Sequence, residues 1–369
     1  MVVLNGSLSR LCLYSSKLSK PLVLNGGNAG IGARFFATRS YRNVGQAIKR
    51  PGLQEVLGRP TTETPFTVGK LAVAGGAALG LSALCYYGLG LSSEAGAIEH
   101  AALWPQYVRD RVHRTYQYLG GGLVLTAAST LMMARSPAIM NLVTRNSFLV
   151  TDLNGISLYF MTILQSILGT IAAVIGTGTL CQSIPYEANK FGAKQLAWIL
   201  HCGTLGAVIA PLTFLGGPLL VRAACYTAGV VGGAYLCLKS WPKKYVCHIL
   251  GMSAVAMCAP NEKFLKMGGI LGVGLGVVFV SSIGTLFLPP TSMLGASLYS
   301  IVTYGGLVLF SGFLLYDTQR VIKLAEVYPQ LAIRPYDPIN AQMGIYLDTI
   351  NIFMRIAILL AGGGGSRRR

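Results

Sequence analysis

An all-α bundle of membrane-spanning helices is predicted by three features of the chain. Hydrophobic residues fill 53% of its 369 positions and charged residues only 11%, against about 25% charged in ordinary soluble domains. The apolar residues gather into runs near the roughly 20 that a helix needs to cross a bilayer. Short polar segments with prolines, acids and bases separate those runs. So few charges could not cover a core of this length in water, which leaves lipid as the expected solvent of a polytopic protein.

The elements follow in order. No acid precedes Glu55, whereas Arg10, Lys17, Lys20, Arg34, Arg39, Arg42, Lys49 and Arg50 stand among serines, leucines and glycines. A basic, acid-free, serine-rich start reads as a mitochondrial transit peptide over 1–36. Arg34, Phe35 and Phe36, followed by Ala37, resemble a processing site. The competing reading is a basic tail for nucleic acid, but no basic-aromatic module accompanies it, and no nucleic-acid partner is expected. A polar basic segment, 37–70, leads to the first span, 71–91, "LAVAGGAALGLSALCYYGLGL". The second span covers Tyr116 to Ala134 and is stopped by Arg135 and Pro137. The third ends at Cys181, the fourth runs from Gln195 to Ala210, and the fifth begins near Leu219. The sixth is Met267 to Leu288, stopped by Pro289 and Pro290. The seventh is Gly295 to Asp317 and the eighth Ala341 to Ala361, followed by a basic tail, 362–369. Eight spans put both termini on one side. The positive bias places that side in the matrix and the loop from Thr318 to Asn340 in the intermembrane space.

Enzymatic chemistry is not expected. The eight cysteines form no CxxC pair and read as small buried hydrophobes; the four histidines show no ligand spacing. His201, inside an apolar run, reads as a packed polar residue. "GGILGVGLG" (Gly268 to Gly276) has no preceding strand, so its glycines read as close helix packing rather than a nucleotide loop. No resident cofactor is implied.

Two carboxylates remain to be explained. Asp317 in "FLLYDTQR" and Asp348 in "IYLDTINIF" interrupt convincing spans. A charged group at a helix centre costs roughly 2.5 to 3.5 kcal/mol on insertion scales and usually lines a cavity or a path. With Arg320 and Lys323 marking one interface and Pro338 and Asn340 the other, each aspartate is expected about 5 to 12 Å below the same surface. Consecutive antiparallel helices would let the carboxylates meet. Such a pair cannot ionise twice cheaply, so it shares a proton. Deprotonated, it offers hard oxygens to a divalent cation such as calcium. The bland alternative is one aspartate at a helix end and one at an aqueous rim.

These residues also carry a resemblance. "FLLYDTQRVIK" and "YDPINAQMGIYLDTINIFMRI" resemble the carboxy-terminal signature of the transmembrane Bax inhibitor motif family. "HCGTLGAVIAPLTFLGGPLLVRAACYTAG", "AMCAPNEKFL" and "VFVSSIGTLFLPPT" resemble its mitochondrial branch, with coverage from about Tyr107 onward. The resemblance implies a seven-helix core over 107–361 with a central helix, plus one added amino-terminal helix. It implies an inner-membrane protein linked to calcium/proton exchange, cristae organisation and apoptosis control, with Asp317 and Asp348 as its transient calcium- and proton-binding pair. Family members place a basic residue near the pair; Arg222, at the start of the fifth span, is the candidate, with a snorkelling interfacial role as the alternative.

Two segments depart from the family pattern. Residues 148–165 and 234–251, each about eighteen codons long, look inserted and fit no helix pattern, as short retained introns would, although the end of the first, "YFMTILQ", could supply residues that the third span needs. The second would bring Pro242, Lys243 and Lys244 into the fifth span, a costly arrangement in lipid. The expected function is a calcium/proton exchanger or a pH-sensitive calcium leak in the mitochondrial inner membrane. The alternative is a non-transporting scaffold for cristae. Membrane lipid and inner-membrane proteins are the expected partners, and the sequence leaves the oligomeric state open.

Overall fold

The computed structural model describes residues 64–88, 104–136, 156–187, 190–231, 255–256, 259–260, 262–288, 291–329 and 334–363. All belong to the second of two units, Gly52–Arg369; the first, Met1–Pro51, lies outside the described residues, and with it the expected transit peptide. The described residues are almost wholly helical and contain no strand.

Among the described residues nine α-helices carry the structure: α1 (Thr64–Gly88), α2 (Gln106–Arg135), α3 (Ile156–Ser183), α4 (Ala193–Ile209), α5 (Gly217–Val231), α6 (Gly268–Phe287), α7 (Met293–Ser300), α8 (Gly306–Val327) and α9 (Pro338–Gly363). A 3₁₀ segment, Ala210–Leu215, extends α4, and a π-helix, Ile301–Gly305, joins α7 to α8. Among the described residues, five stretches are long and apolar enough to cross a membrane: Thr64–Tyr87, Ala193–Leu215, Leu265–Phe287, Met293–Val327 and Pro338–Gly362. The other three expected spans fall on α2, α3 and α5, of 30, 28 and 15 residues. Residues 232–254, where the fifth span was expected to continue or split, lie outside the described residues.

The central helix is α9. Ile339, Met343, Ile345, Tyr346, Ile350, Ile352 and Ala357 are buried, and no residue of α9 from 338 to 361 is exposed. A helix apolar all round belongs in the middle of a bundle, and α9 packs on α8, α2 and α5. The second layer is α2 against α4. Val108, Val112, Tyr116 and Leu119 recur at helical spacing along α2, and Trp198, Cys202 and Leu205 recur along α4. By contrast α6 turns Ile270, Val273, Phe279 and Val280 outward, the face expected of a helix solvated by lipid tails. Its glycine series is helical packing: Gly268 and Gly274 face Tyr316 and Leu309 of α8. The added helix α1 packs on α7, the π-helix and α8, where Ser300 Oγ donates to Pro65 O at 2.7 Å.

Residues 156–165, the end of the first suspected insert, form the first turns of α3, because "ISLYFMTILQ" continues its apolar run. The second suspected insert, 234–251, lies outside the described residues. The seventh span does not end at Asp317; α8 runs ten residues further, to Val327, because Val321, Ile322 and Ala325 stay buried against the bundle.

The helix ends beside this extension are closed by side chains. Pro338 opens α9, where a missing N–H costs nothing. Asp337 caps it, its Oδ1 accepting from Ile339 N and Asn340 N at 3.0 Å each. Arg111 of α2 closes α8, its Nη1 donating to Ala325 O at 3.0 Å and Tyr328 O at 2.8 Å, with rings of Tyr107, Tyr328 and Tyr336 around it. The guanidinium thus satisfies carbonyls that a helix end leaves open, at the end where positive charge is favoured.

Candidate functional site

Asp317 stands ten residues before the end of α8, and Asp348 ten residues after the start of α9. At about 1.5 Å per residue both lie about 15 Å from those ends. Their distances from these neighbouring ends are equal, and greater than the extrapolation from Arg320 and Lys323 because α8 continues past both. The two helices are antiparallel neighbours. Asp317 is 9% exposed and Asp348 5%, and the carboxyls lie within hydrogen-bonding reach of each other.

What lets them approach is Gly344, one turn before Asp348. The Asp317 carboxylate rests on the bare Cα of Gly344, and a Cβ there would overlap it. The nearest cation to Asp317 is Arg320, with Nη1 at 3.8 Å from Oδ1; its side chain is 67% exposed, so it is a screened rim contact rather than a buried ion pair. Asp348 Oδ2 is buried and receives no hydrogen bond. A proton on one of the two carboxyls would supply the missing donor, so the geometry suits a pair holding one proton between them.

A cavity of about 510 Å³ reaches Asp317 from the side where α8 ends and α9 begins, with Asp348 behind its wall. Its wall includes Asp317, Arg320, Gly344 and Leu347 at depth and Tyr328, Tyr336, Asp337 and Asn340 toward its mouth. Burial pushes the Tyr336 phenol above its ordinary pKa, so it is a neutral hydroxyl, paired with Thr115 Oγ1 at 3.0 Å. Behind the wall stands Lys194 of α4, whose Nζ meets Asp337 Oδ2 at 2.7 Å, Asn340 Oδ1 at 2.7 Å and Ile184 O at 3.0 Å. The mouth therefore carries a neutralised acid, and the depth carries the Asp317 carboxyl. Oxygen ligands from two carboxyls suit a hard cation held transiently; no group of three or more His, Cys, Asp or Glu is placed to hold a resident metal among the described residues.

The remaining expected residues fall elsewhere. Arg222 is exposed on α5 and does not line the cavity; it is not the basic residue set deepest in the bundle. Lys194 and Arg355 are set deeper, because each finds protein oxygens to bind. His201 is buried as a packed polar residue, its Nδ1 3.0 Å from Thr177 Oγ1. Arg34, Phe35 and Phe36 lie outside the described residues. Sequence reasoning passed over Lys194, Asp337, Gly344 and Arg355. Two of these had a local signal: Asp337-Pro338 is a cap followed by a helix-opening proline, and Arg355 is a charge seven residues after Asp348 inside an apolar run.

Comparison with known proteins agrees with this architecture. Residues 108–243 and 246–365 match the family described as inhibitor of apoptosis-promoting Bax1. Growth hormone-inducible transmembrane protein of Rattus norvegicus is 52% identical over 344 residues, covering 91% of this chain and 88% of the relative. Bax inhibitor 1 of the same organism is 33% identical over 199 residues, covering 54% of this chain and 71% of the relative. Bax inhibitor 1 of Arabidopsis thaliana is 25% identical over 231 residues, covering 61% and 82%. No solved structure matches. A match over more than half of the chain, on a helical membrane bundle with this carboxy-terminal pair of helices, makes the protein a member of the Bax inhibitor family.

Proposed function

We propose that this protein moves calcium across the mitochondrial inner membrane, as an exchanger against protons or as a pH-sensitive leak, with Asp317 and Asp348 as the shared cation and proton site. The observation that carries this reading is the pair of buried carboxyls side by side at equal distances from neighbouring helix ends, with Asp317 lining a cavity. A structural role would not need two acids side by side in the middle of two spans, where each is costly. Proton and calcium compete for the same oxygens, so occupancy by one releases the other. The mitochondrial address is supported by the acid-free basic segment 1–36, with cleavage near Arg34, Phe35 and Phe36; amino-terminal sequencing of the mature protein should begin near Ala37.

The deciding experiment is calcium flux into proteoliposomes under an imposed pH gradient, comparing the full chain with Asp348→Asn. Gradient-driven flux that the variant loses is the expected result. No flux from well-folded protein, or equal flux in both, would leave the scaffold role in cristae and make the aspartates structural.

A further inference from the structure

On the far side of the aspartate pair the α8–α9 seam holds a positive charge. Asp317 faces Gly344, and Gly306 faces Arg355. From Asp317 back to Gly306 is eleven residues, and from Gly344 on to Arg355 is also eleven, so the arginine lies about 16 Å beyond the level of Asp317 along both helices. Asp348, Asn351 and Arg355 fall at i, i+3 and i+7 on α9, which sets them on one face. The line from the cavity through the carboxyls therefore runs on to Asn351 and ends at Arg355.

The arginine has a bed made for it. In a π-helix the i→i+5 pattern spares a carbonyl, and Arg355 Nε donates to Val302 O, inside Ile301–Gly305, at 3.2 Å. Its Nη1 donates to Asn351 O at 3.1 Å and Asn351 Oδ1 at 2.9 Å. The guanidinium lies over the Phe310 ring at 4.4 Å and against Gly306, where a Cβ would overlap it. No carboxylate stands within ion-pair distance of it among the described residues. Its charge is thus left uncancelled, held only by dipoles and a ring face, which a fixed electrostatic barrier needs and a purely structural ion pair would not give.

We infer that Arg355, seated in the π-helix between α7 and α8, is the barrier that closes the cation path on the side opposite the cavity and so keeps calcium movement coupled to the carboxyl pair. This rests on the transport reading of that pair. A divalent cation leaving Asp317 and Asp348 toward the far face meets an immobile positive charge in a medium of low dielectric, the device by which pores exclude cations. Passage then requires the guanidinium to leave Val302 O and Asn351, a movement that the π-helix can absorb because its extra residue can be taken back into α-helical turns.

The test is calcium entry into proteoliposomes with and without a pH gradient, for wild type, Arg355→Gln, Arg355→Lys, Gly306→Ala and the double variant Arg355→Gln/Asp348→Asn. Arg355→Gln should admit calcium without a gradient, faster than wild type by about tenfold or more, the change given by about 1.4 kcal/mol of barrier. Arg355→Lys, which keeps the charge, should stay closed. Gly306→Ala, which displaces the guanidinium without removing it, should leak and serves in place of Arg355→Gln if that variant does not fold to a monodisperse species. The double variant should leak less than Arg355→Gln. Tight Arg355→Gln and Gly306→Ala beside gradient-driven wild type would overturn the barrier and leave the transport reading standing. Equal leak in Gln and Lys variants would make the role one of packing, and a leak indifferent to Asp348 would put the ion on another route; either overturns the inference. A wild type that carries no calcium, with every variant tight, overturns the transport reading and the barrier together.

Discussion

Lys194 Nζ lies 2.7 Å from Asp337 Oδ2, with 1% of the lysine side chain exposed and 20% of the aspartate. The contact joins α4 to the first turn of α9, and Asn340 Oδ1 and Ile184 O complete the shell of the ammonium. A buried cation is tolerated only when its donors are met by oxygens.

Removing one partner of this pair should therefore be far more damaging than removing both. Lys194→Met leaves Asp337 without its counter-charge and should cost roughly 3 kcal/mol, the low end for breaking a buried pair because the carboxylate keeps some contact with water. Asp337→Asn leaves a side chain that still caps α9 and should cost less. The double variant should recover part of the loss. Thermal unfolding of the purified protein in detergent, read as a double-mutant cycle, gives the coupling between them; simple additivity would show that the pair holds nothing together.

Gly344→Ala adds one methyl group where the Asp317 carboxylate now rests. Alanine favours the helix over glycine by up to about 1 kcal/mol, so the fold should hold. The carboxylate, however, must move off α9, and the pair should separate. The expected outcome is a well-folded protein whose pH-driven calcium flux falls toward that of Asp348→Asn. Undiminished flux would mean that the close approach of the two carboxyls is not needed.

Tyr336 predicts an alkaline limit. Its phenol is raised above the ordinary value by burial first, partly offset by the Thr115 hydrogen bond and the charge of Arg111. A tyrosine whose folded pKa exceeds its unfolded value keeps the proton longer in the native state. Its contribution to stability is full below the unfolded value of about 10 and is lost as pH rises through and beyond it. The melting temperature of wild type should fall between about pH 9 and 11, and that of Tyr336→Phe should fall less steeply. At neutral pH the same variant should be less stable by about 1 kcal/mol, the usual worth of one hydrogen bond. Parallel alkaline slopes would assign the loss to other groups.

Much of the site was legible because it is local. Asp317 and Asp348 show in the sequence as charges inside apolar runs, and their helices are consecutive, so meeting at one depth needed only an antiparallel turn. Arg355 carried the same signal but was overlooked beside Arg222, whose position at the start of a span looked deeper than it is. Lys194 could not be read, since its partner stands 143 residues away and only the packing of α4 on α9 brings them together. The π-helix at Ile301–Gly305 has no sequence mark either. Its extra residue is tolerated because Arg355, from another helix, binds the carbonyl it frees.

The order of the helices along the chain has a consequence for manufacture. The centre of the bundle, α9, follows every other described helix in the sequence. While the earlier helices enter the membrane they have no hub to gather round, and Lys194 and Asp317 lack the contacts that α9 gives them. Assembly of the described helices is therefore closed from α9, and a nascent chain interrupted before residue 338 is a set of spans without its hub, exposing costly polar groups to lipid, a ready substrate for membrane quality control.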